Sequence, residues 1–249
     1  MVDLASLDVV GLVPGLVRMG VPVAARVAPP DPGASSPYAA ERAAVARAVP
    51  ARRAEFLTGR LLARAALADL GVAPSEIARR PDRAPAWPAG LIGSITHTGG
   101  LCAALVARPA GSGAIIGVGI DVELDVRLDD AVIDRVLTPG ERGALGARRG
   151  RDAVVAFSAK EALFKAIHPA TGVWLEPIEV EVVLGHDDAH WSAAVTPGPE
   201  PGPTSGPVAV RSWAAAAPGV APVDAVGRWA RVGPWVLTGF VLASPGVHH

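Results

Sequence analysis

Lysine is almost missing from this chain. Of its 23 basic residues only Lys160 and Lys165 are lysine, and both fall in one short stretch, FSAKEALFKA (157–166). Compositional bias toward arginine did not put them there. Cysteine is scarcer still. Cys102 stands alone, which excludes a disulfide within the chain and a four-cysteine zinc site; in the apolar run LCAALVA it reads as a small hydrophobe. No uninterrupted apolar run approaches the roughly 20 residues needed to cross a bilayer. The start, MVDLASLDVVGLVPG, has no basic leader region and breaks its apolar stretch with Asp8 and Pro14, so no secretory signal is expected. An excess of one charge is absent as well. The net charge is −1 with 19% charged residues, which gives no footprint for nucleic acid or a membrane surface. These absences predict a cytoplasmic globular protein, and 249 residues, half of them apolar, suffice for one large core or two small ones.

What is present falls into segments separated by breakers. PPDPGASSP (29–37) reads as a loop. From Ala39 to about Leu70 helix formers continue, with Phe56, Leu57, Leu61, Leu62, Ala65, Ala66 and Leu70 at helical spacing before a glycine stop. This predicts a long helix that buries one face and shows its arginines on another. DRAPAWPAG (82–90) is an irregular connector, and LIGSITH (91–97), LCAALVAR (101–108) and AIIGVGIDVE (114–123) read as strands. LTPGERGALGARR (137–149) predicts a short helix begun by Thr138 and Pro139, with Glu141 near its positive end. A second long helix is expected from about Asp152 to His168. After it, IEVEVVL (178–184), HWSAAV (190–195), VAVRSWAAA (208–216) and WVLTGFVLA (235–243) read as strands, and TPGPEPGPTSGP (196–207) as a loop. Long helix with strands occurs twice, turning near residues 115–123, so the expected fold is α+β in two related halves.

Extended geometry sends Asp121 and Glu123 of GIDVELD to one face. Two carboxylates in one patch repel unless one is protonated or a cation lies between them; the plain alternative is an apolar strand ending in solvent. The second long helix bears on that choice. From Ala153 to Ile167 it is apolar except at Ser158, Lys160, Glu161 and Lys165, and charge on a mostly buried helix is costly unless paired or ligated. Glu161 and Lys165 have the spacing of an ordinary i,i+4 surface pair, which contributes roughly 0.2–0.5 kcal/mol. Alternatively, Glu161 faces Asp121 and Glu123 across a cleft and completes an oxygen-ligand site suited to Mg²⁺ and substrate phosphates, with Lys165 reaching a phosphate oxygen. Thr96, His97 and Thr98 end a strand beside Gly99 and Gly100, a polar turn where a phosphate could sit; a lone histidine is more often structural. Arg52, Arg53 and Arg60 are solvated arginines by default, though the guanidinium fork also suits phosphate. GSGAIIGVG (111–119) contains G-x-G but leads into a strand, so it fails the test for a dinucleotide-binding loop. Arg148, Arg149 and Arg151 read as a solvated turn, with docking to an acidic partner as the sharper reading.

With GIDVE, FSAKEALFKA and GSITH together, the chain resembles the 4'-phosphopantetheinyl transferases, in the larger branch of Sfp-like enzymes and enterobactin synthetase component D. RRAEFLTGRLLARAAL (52–67) is similar to that branch's N-terminal helix, RAPAWPAG (83–90) to its connector, and WLEP (174–177) to the segment after its Lys-Glu helix. The resemblance covers about residues 39–180. It implies the 4'-phosphopantetheinyl transferase fold, with pseudo-symmetric halves at 1–118 (the coenzyme A nucleotide side) and 119–249 (metal and catalytic helix), the active site between them, and a monomer. It also implies transfer of the phosphopantetheine arm of coenzyme A to a serine of an apo acyl or peptidyl carrier protein, in siderophore or other secondary metabolism, leaving adenosine 3',5'-bisphosphate. By position, Asp121, Glu123 and Glu161 would hold Mg²⁺. Glu161 would orient or deprotonate the serine, and Lys165 would stabilise the leaving phosphate. Asp121 and Lys165 would also face the coenzyme, Thr96, His97 and Arg52 would serve its 3'-phosphate, and Arg60 and Arg83 would lie near the nucleotide. The chain departs from the pattern where Thr96 replaces a common serine, a small change between two hydroxyls, and where Asp82 and Arg83 stand in place of a lysine. A catalytically silent coenzyme A or carrier-binding module is the alternative; the presence of all three carboxylates and Lys165 argues against it.

Overall fold

The structure, a computed structural model, describes residues 4, 7–109, 115–185, 205–213 and 224–244. Its helices are α1 (Pro14–Arg18), α2 (Ala39–Ala44), α3 (Pro50–Asp69), α4 (Asp130–Val136), α5 (Pro139–Leu145) and α6 (Arg149–Thr171). Its strands are β1 (Val23–Ala28), β2 (Ile92–Thr98), β3 (Leu101–Ala107), β4 (Ile115–Leu124), β5 (Val180–Leu184), β6 (Ser205–Trp213), β7 (Asp224–Val232) and β8 (Trp235–Ala243). They form an antiparallel three-stranded sheet in the order β1-β3-β2 and an antiparallel five-stranded sheet in the order β4-β8-β7-β6-β5. The fold is α+β, as expected.

Several elements differ from the sequence reading. The helix expected over 39–70 is two, because Pro50 opens α3 at its first turn and Val49 before it is extended (ψ 154); proline pre-sets a helix start and pushes its predecessor out of the helical region. The arginines of α3 do not all face solvent. Arg64 is buried and bonds both carboxylate oxygens of the buried Glu41 of α2 at 2.6 and 2.8 Å, and Arg60 is buried with its Nε donating to the Ile77 carbonyl at 2.8 Å. Arg149 and Arg151 belong to α6, which begins earlier than expected and ends at Gly172, whose φ of 74° favours glycine. Ser205–Pro207, expected in a loop, open β6. Strands β1 and β7 and helices α1 and α4 were not foreseen, and HWSAAV lies outside the described residues.

Two contacts of β4 build the region around Asp121. First, Ser94 Oγ on β2 accepts from the Ile120 amide of β4 at 3.0 Å, and Thr96 Oγ1 accepts from the Val122 amide at 3.2 Å. The two strands, one from each sheet, thus meet through side-chain hydroxyls. Second, α6 packs directly on β4: a Cβ at Gly117 or Gly119 would collide with the carbonyls of Ala166 and Ala162. Glycine there lets the helix backbone touch the strand and fixes Glu161 and Lys165 over Asp121. The main core lies between α6 and the five-stranded sheet, centred on Leu163, Trp229 and Phe240. A second core joins β3, β4 and the N-terminal turns, and a third lies under α3.

Candidate active site

Between α3 and β2 on one side and α6 on the other opens a cleft of about 460 Å³. One wall is basic, with Arg52 and Arg60 from α3 and Arg79 and Arg83 from the segment between α3 and β2; the other is formed by α6 and the segment just after it, with Glu161, Phe164, Lys165, His168 and Trp174. The predicted Arg52, Arg60, Arg83, His97, Glu161 and Lys165 therefore line one cavity, at whose edge Asp121 is tied to Lys165.

Asp121, at the middle of the seam, is buried and fully engaged. Its Oδ1 accepts from Lys165 Nζ at 2.5 Å and Thr96 Oγ1 at 3.1 Å, and its Oδ2 from Ser158 Oγ at 2.8 Å. Lys165 also donates to Thr96 Oγ1 at 3.1 Å. The ordinary i,i+4 pair is not what forms: Lys165 pairs with Asp121 across the α6–β4 contact, and Glu161 makes no ion pair among the described residues. Glu123 accepts from Thr98 Oγ1 at 3.2 Å. Burial, then the negative charges of Asp121 and Glu161, push its carboxyl up to about 7 against the pull of Thr98 and Lys165. Burial, assisted by Asp121 and opposed by Lys165, raises Glu161 as well. The three carboxylates thus feel one another. Among the described residues no trio of His, Cys, Asp or Glu stands close enough to hold a metal unaided. The arrangement fits a hard cation that takes only part of its shell from the protein, as Mg²⁺ does beside phosphates, because the acidic charge exceeds what Lys165 neutralises.

At the same end of β2 but on its opposite face, His97 contacts Arg52 through both ring nitrogens, and its Nδ1 lies 3.3 Å from Glu55 Oε2. Burial and then the Arg52 charge hold the imidazole down at about 4, with Glu55 opposing, so it is neutral near pH 7. Arg60 stacks over Phe56 at 4.3 Å, and burial lowers its guanidinium to about 10. Arg83 has a φ of 71°, the one non-glycine residue with positive φ among those described. Lys160 is no part of this cleft. It is buried and donates to Glu141 Oε2 at 2.6 Å and to the carbonyls of Val136 and Pro177 at 2.6 and 2.8 Å. The two lysines of FSAKEALFKA therefore do different work: one ties α6 to α4, α5 and the following turn, the other faces the site.

Sequence reasoning passed over Glu55, Arg79 and Thr238. Glu55 carried a signal, standing three residues after Arg52 on a helix and so on the same side. Thr238 did too, as the lone hydroxyl in WVLTGFVLA; buried hydroxyls need partners. Nothing local marked Arg79.

Two family models match the chain, the 4'-phosphopantetheinyl transferase N-terminal domain over residues 40–107 and the 4'-phosphopantetheinyl transferase superfamily over residues 117–215. The chain belongs to this family of enzymes, which transfer phosphopantetheine from coenzyme A to carrier proteins. It is 37% identical over 222 residues to 4'-phosphopantetheinyl transferase Svp of Streptomyces mobaraensis, covering 87% of this chain and 82% of that protein. It is also 37% identical over 166 residues to PptT of Mycobacterium tuberculosis (65% and 71% of the two chains) and 35% identical over 122 residues to enterobactin synthase component D of Escherichia coli (46% and 54%).

Proposed function

We propose that the cleft binds coenzyme A with its phosphates along the arginine wall, and that transfer to the serine of an apo acyl or peptidyl carrier protein depends on Mg²⁺ and releases adenosine 3',5'-bisphosphate. The observation that carries this reading is the convergence of Lys165, Asp121 and Glu161 at the edge of an arginine-lined cavity. Asp121, Glu123 and Glu161 would hold Mg²⁺, which when bound neutralises pyrophosphate charge; phosphoryl transfer needs such neutralisation and alignment more than a protein nucleophile.

The chain's own groups do the rest. Arg52 and His97 engage the 3'-phosphate with help from the Thr96 end of β2; an arriving phosphate replaces Glu55 as their anion and draws a proton onto His97. Arg60 and Arg83 face the nucleotide, and Arg83 takes the place of the lysine common in relatives. Glu161, made more basic by burial, orients the serine hydroxyl and receives its proton. Lys165 donates to the phosphate oxygen that becomes the leaving group. Residues 1–118 supply the nucleotide side and 119–249 the metal side, so one chain makes a complete site as a cytoplasmic monomer. Its carriers belong to siderophore or other secondary metabolism.

The test is incubation with coenzyme A, Mg²⁺ and apo carrier proteins, followed by mass spectrometry. The phosphopantetheine increment should appear on the carrier and vanish with EDTA. Coenzyme A binding with no increment on several unrelated carriers would favour a silent module. Glu161→Gln should abolish transfer with the fold intact by circular dichroism; unchanged transfer would refute the role given to Glu161.

A further inference from the structure

Behind Asp121 lie two hydroxyls that the chemistry above does not use. Ser158, on α6 one turn before Glu161, donates from Oγ to Asp121 Oδ2 at 2.8 Å. Thr238, paired with Asp121 across the β4–β8 ladder, meets Ser158 twice. Its Oγ1 donates to the Ser158 carbonyl at 2.8 Å and lies 3.0 Å from Ser158 Oγ. Both residues are 0% exposed, so bulk water does not substitute for any of these contacts.

Two hydroxyl protons thus serve three contacts, since each hydroxyl has one proton to give. With the Thr238 proton on the Ser158 carbonyl, Ser158 gives its own either to Asp121 Oδ2 or to Thr238 Oγ1. Each choice leaves Ser158 hydrogen-bonded, which matters because an unpaired buried hydroxyl is penalised. Asp121 Oδ1 is already taken by Lys165 and Thr96, so Oδ2 is the oxygen less encumbered for another ligand.

We infer that Ser158 and Thr238 are positioning residues for Asp121: the pair fixes the carboxylate plane, and Thr238 gives the Ser158 proton somewhere to turn when Oδ2 engages a cation. The inference rests on the Mg²⁺ reading of the proposed function. Without the Thr238 oxygen, the Ser158 proton stays on Asp121 and competes with the cation. Hydrogen-bond partners of metal ligands commonly change affinity by about 10- to 100-fold.

The test is a Mn²⁺ titration of the full chain in the presence of coenzyme A, with free Mn²⁺ read by electron paramagnetic resonance. Thr238→Val, nearly isosteric but without the hydroxyl, should bind Mn²⁺ about 10-fold more weakly, whereas Thr238→Ser should stay within about twofold of wild type. Coenzyme A affinity in EDTA should be the same for all, which a general loosening of the structure would not leave untouched. Wild-type Mn²⁺ affinity in Thr238→Val, or an equal loss in Thr238→Ser, overturns the inference. If Thr238→Val does not fold, Thr238→Ala decides: it too lacks the oxygen that accepts the Ser158 proton and should weaken Mn²⁺ about 10-fold, and unchanged affinity sinks the proposal. A wild-type chain that takes up no Mn²⁺ refutes the metal reading and this inference together, whereas normal wild-type uptake with an unaffected Thr238→Val refutes the inference alone.

Discussion

Lys160 and Lys165 are five residues apart, so on a helix they point about 140° away from each other. That separation makes distinct effects predictable. Lys160→Met removes the partner of a buried carboxylate, Glu141, and should lower stability by about 3–5 kcal/mol, read as a fall in the denaturation midpoint. Lys165→Met should leave the fold standing and cut the rate of transfer, because its side chain is 27% exposed at the cleft and Asp121 retains Thr96 and Ser158. His97 gives a pH prediction. Its pKa falls from 6.5 to about 4 on folding, so between those values the unfolded chain binds more protons and stability rises with pH. The stabilisation is fully present above pH 6.5 and is lost as the pH falls toward 4. Thermal melts across that window should show a steeper acid loss for wild type than for His97→Gln. Arg52→Ala should raise the KM for coenzyme A about 10-fold or more, in keeping with loss of a charged contact worth about 1.5–3 kcal/mol, while changing little for dephospho-coenzyme A. Equal effects on the two substrates would remove Arg52 from the 3'-phosphate.

At the scale of elements, the α6–β4 contact decides whether the site exists. Gly119 lies under the Ala162 carbonyl, next to Glu161. Gly119→Ala forces a methyl group against the Ala162 backbone carbonyl, where no flexible side chain can yield; overpacking of this kind costs about 1–3 kcal/mol. It should also lift Glu161 from Asp121, so Mn²⁺ affinity and transfer should fall more than stability does. A variant that is destabilised yet binds Mn²⁺ normally would show that the helix can shift without opening the site. The capping box at Thr138 and Glu141 acts on the same helix from outside, since Glu141 both caps α5 and holds Lys160.

Across the whole molecule, the seam of Ser94 and Thr96 against β4 joins the two sheets, and the cleft draws one wall from each side of it. What the sequence determined by itself is whatever depends on spacing within one segment. Alternation placed Asp121 and Glu123 on one side of a strand, and helical spacing placed Glu161 and Lys165 one turn apart. Helix formers and apolar spacing marked α3 and α6, though the break at Pro50 went unread because helix formers continue on both sides of it. What only the tertiary structure decided is which charges find which partners. Lys165 takes Asp121 in preference to Glu161, Lys160 takes Glu141, and Thr238 stands behind Asp121 from a strand more than a hundred residues away. The reason is physical: a buried charge or hydroxyl needs a partner close by in space, and distance along the chain does not limit who supplies it once sheets and helices have packed.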